Sequence, residues 1–309
     1  MKLEAASCNL CGSDRFEPHL VRGDLNLYLP GEFQLVRCNN CELIYQNPRP
    51  LAADLMTMYP QEYDQYQDAT KREHSRILQL DRLYGLRKRS KAVMRHIERG
   101  RLLDVGCATG EFLNAIRDKG WEVVGVEPSP LASRWARENL DLDVKTGTLE
   151  TVALPDESFD VVTMWNVIEH VPDPHAVLSK AYRLLRSNGL LVLTTPNFDS
   201  VDVKIFGRYW IGYELPRHFY VFSRRTLLEV VEKAGFRVLE TKCLYGSHAA
   251  AMSSVRFWLR SRRMNGRLRQ TFEQVLFSRL LRVLASPYFY AMDRLQLSGP
   301  LTVICSKVS

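Results

Sequence analysis

No stretch of this sequence is both long and apolar enough to span a bilayer or open a secretion signal. The N-terminal MKLEAASCNL lacks an apolar core, and the most apolar late run, VLFSRLLRVLASPYFYAM, is broken by Arg279 and Arg282. Glycine (17) and proline (14) are too sparse in 309 residues for a collagen-like or low-complexity chain, and there is no internal repeat. Seven cysteines are too few, and odd in number, for a disulfide scaffold. Without export signals the thiols belong in a reducing compartment, so a cytoplasmic location is expected and Cys-x-x-Cys pairs read as metal ligands. What remains is ordinary globular composition, 46% hydrophobic and 25% charged, in a length that implies about two domains.

Acidic residues are nearly absent from one segment. Between Ser247 and Leu297 nine arginines (256, 260, 262, 263, 267, 269, 279, 282 and 294) face only Glu273 and Asp293, so this segment carries the whole net charge of +7. A concentrated basic segment points to an anionic partner: a membrane surface, nucleic acid or an acidic substrate. Leu276, Leu280, Val283 and Leu284 are expected on one helical face flanked by Arg279 and Arg282. That arrangement suits an anionic membrane surface, a cap over an acceptor cleft, or a helical or dimer contact.

Four cysteines stand as Cys8-x-x-Cys11 and Cys38-x-x-Cys41. Each two-residue spacer lets a tight knuckle turn both sulfurs toward one ion, so the four are expected to hold a structural zinc. Gly12 follows the first pair, as such a turn favours, whereas Glu42 takes that place after the second. FQLVRC and ELIYQ flank the second pair as short strands, which gives a zinc ribbon followed by a connector bearing Tyr59, Tyr63 and Tyr66.

From Arg101 apolar strands alternate with amphipathic helices: RLLDVGC, GEFLNAIRDKG, WEVVGVEP, SPLASRWARENL, FDVVTMWNVI, DPHAVLSKAYRLLRSNG and LLVLTTPN. This order predicts an α/β fold, doubly wound, with a mostly parallel sheet. The first strand runs into Asp104-Val-Gly106-Cys107-Ala108-Thr-Gly110, whose small residues permit close approach of a ligand to the backbone. Ala108 and Glu111 stand where a dinucleotide fingerprint requires glycine, which disfavours a nicotinamide or flavin. Glu127 ends the second strand 21 residues after Gly106, where a carboxylate can accept both hydroxyls of a ribose. Adenosine without a diphosphate is the expectation.

These residues, with Glu127-Pro128, Thr146-Gly-Thr148-Leu149, Trp165-Asn166-Val-Ile-Glu169-His170 and Thr195-Pro-Asn197, resemble in order the motifs of the class I S-adenosylmethionine-dependent methyltransferases. The resemblance implies a seven-stranded methyltransferase sheet over residues 67–309, interrupted by a helical basic insert at 247–297 before the last strand. Residues 1–66 form the zinc ribbon and connector. It further implies that Asp104, Gly106, Cys107, Gly110, Glu127, Pro128, Thr148, Leu149 and Asn166 bind S-adenosylmethionine, Glu127 at the ribose and Asn166 at the sulfonium end.

Methyl transfer to an alcohol or carbon acid needs orientation and a proton acceptor. His218, in the long aromatic loop from Phe198 to Phe222, and His170 are the candidate bases, with Glu169 as orienting partner. The stretch from Cys38 through Pro50, with Trp210 and Pro216-Arg217-His218, resembles bacterial zinc-ribbon methyltransferases of glycan and natural-product pathways. It implies a small-molecule, glycan or lipid-linked acceptor, with O-methylation favoured over C-methylation. The basic amphipathic pattern of 247–297 separately gives the expectation of a peripheral contact with the inner face of the membrane. The alternative is an RNA methyltransferase that uses the ribbon and basic insert to follow a phosphate backbone.

Overall fold

The computed structural model describes residues 1–58, 76–262, 266–276 and 278–308; the side chains at 56, 76–81, 267–269, 279 and 280 lie outside that description. Tyr59, Tyr63, Tyr66 and Arg263 therefore lie outside it, as do the side chains of Arg267, Arg269 and Arg279 and the expected boundary at 66/67. The chain divides into two compact units. One comprises Met1–Leu51, Pro196–Leu227 and Lys242–Leu301; the other comprises Ala52–Thr195, Leu228–Thr241 and Thr302–Ser309. The ribbon segment thus shares its unit with two later stretches and does not stand alone.

In the second unit, helix α1 (Arg76–Met94) precedes β6 (Arg101–Val105), α2 (Glu111–Arg117), β7 (Glu122–Glu127), α3 (Pro130–Leu140), β8 (Asp143–Thr146), β9 (Phe159–Trp165), α4 (Pro174–Leu184) and β10 (Leu185–Pro196). After α6 (Arg224–Lys233) the sheet is completed by β12 (Phe236–Lys242) and β13 (Pro300–Lys307), in the order β12-β13-β10-β9-β6-β7-β8. The five strands from β10 to β8 are parallel. Covered on both faces by crossover helices, they read as continuous apolar runs, and Leu102, Leu103, Val126, Val161 and Val162 are wholly buried. The expected helix through Arg186-Ser-Asn-Gly189 ends instead at Leu184, because β10 begins at Leu185 in register with Phe159.

Chain order reverses beside β6: β7 and β8 extend the sheet one way, and β9 returns to β6's other edge. Such a switch point opens a crevice at the carboxyl ends of the strands. The residues that follow β6, β7 and β9 are therefore gathered there by topology.

The first unit holds β1 (Leu3–Glu4), β2 (Phe16–Arg22), β3 (Phe33–Cys38), β4 (Ile44–Gln46), β5 (Arg49–Pro50), α5 (Val201–Phe206), β11 (Tyr220–Val221), α7 (Ser247–Ser261), α8 (Gly266–Leu276) and α9 (Arg279–Arg294). Its main sheet has the order β11-β4-β3-β2, in antiparallel pairs. Phe33, Leu35 and Ile44 pack with Trp210, Tyr213, Leu215 and Val221. The aromatic stretch from Phe198 to Phe222 is thus core in this unit, and Trp210 is fully buried. Ser278 caps α9, so the expected face through Leu276, Leu280, Val283 and Leu284 is broken between two helices. No helix among the described residues is long and apolar enough to cross a membrane.

The polar centre of this unit is Arg217, 0% exposed. Its guanidinium donates to both oxygens of Asp24, at 2.9 and 2.6 Å, and to Glu214 at 2.8 Å. Asp24 also accepts from the backbone N–H groups of Asn26, Leu27 and Leu29, which shapes the turn after β2. Removing one member of such a pair leaves a buried charge uncompensated. Asp24→Ala is expected to lower stability by about 3–5 kcal/mol, read from urea denaturation, while Asp24→Asn, whose one oxygen can still accept from Asn26 and Leu27, costs less.

Candidate functional site

The loop after β6 is shaped by backbone that only small residues tolerate. Gly106 and Gly110 have φ of 68° and 79°. A Cβ on Gly106 would lie 2.6 Å from Val167 Cγ2, and one on Gly110 would lie 2.5 Å from Leu142 Cδ1. Ala108, at φ 48°, adopts the left-handed conformation with a side chain, at a cost of about 1–2 kcal/mol. The gain set against this strain is a bond: Ala108 N–H donates to Glu127 Oε2 at 2.9 Å.

Glu127 ends β7 and is buried. Its second oxygen accepts from Ser129 N–H at 2.8 Å, just where Ser129 caps α3 by accepting from Ala132 N–H. Burial pushes the Glu127 carboxyl up to about 7 against the opposing pull of these two backbone donors. Gly147 N–H reaches back to Glu127 carbonyl at 3.0 Å, fixing the turn that presents Thr148 and Leu149. After β9, Asn166 takes φ 56° and its N–H donates to the Thr194 carbonyl at 2.8 Å. Asp173 caps α4 by accepting from Ala176 N–H.

Together these turns enclose a cavity of about 130 Å³. Of the residues expected at the cofactor, Gly106, Glu127, Pro128, Thr148, Leu149 and Asn166 line it, and so does the candidate base His170. Asp104, Cys107, Gly110 and Glu169 do not. Asp104 is buried within the sheet, accepts from Thr163 Oγ1 at 2.6 Å, and is pushed up to about 7 by desolvation. Cys107 packs under the loop, where a Cβ on Gly125 would lie 2.6 Å from its sulfur, and burial raises its thiol. Gly110 serves the packing of the loop on Ala136 and Leu142.

Sequence reasoning missed Leu55, which lines the cavity from the short 3-10 turn at Ala52–Met58, and Glu150, beside the expected Thr148 and Leu149. Val167, Val171, Pro172 and Val177 supply its apolar wall.

His218 belongs to the other unit. It is buried, its Nδ1 lies 2.9 Å from the Gly212 carbonyl and donates to it, and desolvation lowers the ring to about 4. It is therefore neutral at pH 7, with the proton on Nδ1.

In the ribbon, Cys8 and Cys41 sulfurs lie 3.4 Å apart, Cys11 and Cys38 sulfurs 3.5 Å, and all four within 4.8 Å of one another. Four sulfurs about 2.3 Å from a central ion would lie about 3.8 Å apart, so distances and donor set both fit a tetrahedral thiolate site. The two knuckles match: Gly12 N–H donates to Cys8 carbonyl at 2.7 Å and Glu42 N–H to Cys38 carbonyl at 3.0 Å, with φ of 75° and 61°. Glu42 holds the strained position while pairing with Arg37 and Arg225, each at 2.5 Å.

Residues 73–241 match a family described as a methyltransferase domain. A ubiquinone biosynthesis O-methyltransferase of Cereibacter sphaeroides is 33% identical over 153 residues, which cover 46% of this chain and 62% of that protein. One from Actinobacillus pleuropneumoniae is 31% identical over 175 residues, covering 52% and 73%. The chain thus spans less than two thirds of the Cereibacter protein. Among solved structures, a chain from the complex of a Haloferax volcanii methyltransferase with a methyltransferase activator is alike in fold, with a TM-score of 0.50 at 19% identity over 74% of this chain and 92% of that one.

The two raised carboxyls make stability pH-dependent in a definite sense. Folded, Asp104 and Glu127 keep their protons to about pH 7; unfolded, they lose them near their ordinary values of 3.8 and 4.5. The folded chain binds more protons within that window, so its stability is highest at the acid end and falls as pH rises toward 7, by at most about 1.4 kcal/mol per group per pH unit. Urea denaturation from pH 5 to pH 8 is expected to show this fall, levelling above pH 7, and Glu127→Gln to make it shallower.

Proposed function

Because the chain belongs to the family of S-adenosylmethionine-dependent methyltransferases, we propose that it transfers methyl to a hydroxyl of a small-molecule, glycan or lipid-linked acceptor, with His170 as proton acceptor. The observation that carries this reading is the Glu127 carboxylate, fixed by Ala108 and Ser129 N–H groups at the cavity. An ionised carboxylate offers about four acceptor sites. With two taken by backbone, two remain for the paired hydroxyls of a ribose. Gly106 gives the backbone room to approach the methionine part, Thr148 and Leu149 flank the adenine end, and Asn166 stands toward the sulfonium.

When bound, S-adenosylmethionine supplies a methyl group on a positively charged sulfur. The protein's part is to orient the acceptor oxygen in line with it and to take the hydroxyl proton. His170 lines the cavity and suits that role. His218, held near 4, is a weak base at neutral pH and is not among the residues that line the cavity. O-methylation is supported by the relatives named for ubiquinone biosynthesis, at about a third identity.

The test is transfer of tritiated methyl from S-adenosylmethionine to cell extract, with label sorted into small-molecule, lipid, glycan and RNA pools. Label is expected outside the RNA pool. Glu127→Ala should weaken cofactor binding by calorimetry at least about a hundredfold, since two hydrogen bonds to a charged acceptor are lost. His170→Gln should slow transfer about 10²- to 10⁴-fold with cofactor affinity retained. Undiminished affinity in the first variant removes the ribose assignment, and full activity in the second returns the role to His218.

Cys8, Cys11, Cys38 and Cys41 are assigned to one structural zinc, with all four positions filled by sulfur and none left for chemistry. Elemental analysis is expected to find about one zinc per chain. Cys38→Ser should lose it while cofactor binding persists, and a metal-free native protein would refute the assignment.

A further inference from the structure

Exposed apolar side chains are unevenly spread. Of the 21 large hydrophobic residues that are exposed among the described residues, ten lie between Trp258 and Leu297. Within this insert α7 is the inner helix: Ala251, Ser254, Phe257 and Leu259 are buried, and Ser254 Oγ accepts from Ile211 N–H at 3.0 Å. Helix α9 turns Arg282, Ala285, Phe289 and Met292 to its half-buried side. Phe289 meets His248 edge-on at 5.2 Å, and Asp293 accepts from Ser247 Oγ at 2.5 Å. Among the apolar side chains that α9 leaves outside is a stripe at helical spacing, Leu281, Leu284, Tyr288 and Leu295, with exposures of 37, 66, 43 and 62%; Val283 and Tyr290 are exposed on another side of the helix. A surface helix normally does the reverse.

Three observations identify what covers the stripe. The segment carrying it has nine arginines and two acids, so a second copy would bring like charge to like, whereas an anionic surface complements it. Within the same insert arginines stack on exposed aromatics: Arg294 over Tyr290 at 5.2 Å, with its Nε 3.1 Å from the hydroxyl, and Arg262 over Trp258 at 5.1 Å. Aromatic rings with a polar edge favour the headgroup level of a bilayer. Finally, Pro287 has no N–H for the Val283 carbonyl, and Ser286 Oγ donates to that carbonyl at 2.8 Å instead. Water would satisfy a freed carbonyl at no cost, but lipid would not.

We infer that α9 lies in the plane of an anionic phospholipid bilayer, with Leu281, Leu284, Tyr288 and Leu295 at the acyl boundary and the surrounding arginines among the phosphates. The helix rests on the membrane and does not cross it. The inference is independent of the acceptor. If the acceptor is lipid-linked, it also places the enzyme on the surface that holds the substrate.

The purified full-length protein is sedimented with vesicles of phosphatidylcholine alone or with roughly one quarter phosphatidylglycerol. Binding is expected to the anionic vesicles, weakened by about 0.5 M salt. The double variant Leu284→Asp, Leu295→Asp should reduce partitioning at least about tenfold, with cofactor affinity and thermal unfolding as in the parent. Absence of vesicle binding, or equal binding by the variant, overturns the inference. So does a parent that self-associates in analytical ultracentrifugation without binding vesicles, and so does retention of total RNA in place of vesicles.

Discussion

A single carboxylate ties the cofactor end of the sheet together. Glu127 receives Ala108 from the loop after β6 and Ser129 from the cap of α3, while its own carbonyl receives Gly147 from the turn after β8. Three successive strand ends are thereby held to one residue. The strain at Ala108 persists because the carboxylate collects its N–H, and the helix after β7 starts where it does because Ser129 is fixed between the carboxylate and Ala132. The same burial that makes these bonds strong keeps the carboxyl reluctant to ionise. If Glu127 receives the ribose as proposed, binding of the diol would favour the ionised form and so release a proton at this residue.

Asp104 shows a different use of a buried acid in the same neighbourhood. It lies within the sheet, bonded to Thr163, and joins β6 to β9 across the switch point. Desolvation is the main reason its carboxyl holds a proton, and the nearby Glu127 charge adds to it. The motif therefore contains one acid that faces the cavity and one that holds two strands together.

The parallel sheet was legible because strands covered on both faces leave continuous apolar runs, and the metal-type site because two-residue spacing between cysteines has few other uses. The tail of α4 was misread, since Arg186-Ser-Asn-Gly189 carries no local signal that β10 starts early. The aromatic stretch from Phe198 to Phe222 read as a loop over a site, yet Trp210 and Tyr213 fill a core. Aromatic content is the same in either case, and only burial separates them. Asp104 and Cys107 stand within the cofactor motif but do not line the cavity: Asp104 is engaged with Thr163 inside the sheet, and Cys107 packs against Gly125. Leu55 was invisible for the opposite reason: nothing in its neighbours in sequence marks a ligand wall.

The interleaving of the first unit has a consequence for how the chain is made. Its sheet pairs β3 with β4 locally, but the other edge of β4 waits for Tyr220 and Val221, and its core waits for Trp210 and Tyr213. Synthesis proceeds from the N-terminus, so the ribbon emerges from the ribosome long before these partners exist. For that interval it presents an open strand edge and an unfilled apolar face. The four cysteines all lie within the first 41 residues, so gathering them, like pairing β1 with β5 and β2 with β3, needs none of the later partners. The N-terminal hairpins can therefore form early, while the β4 edge and the apolar face stay open until Trp210, Tyr213 and Tyr220 have been made.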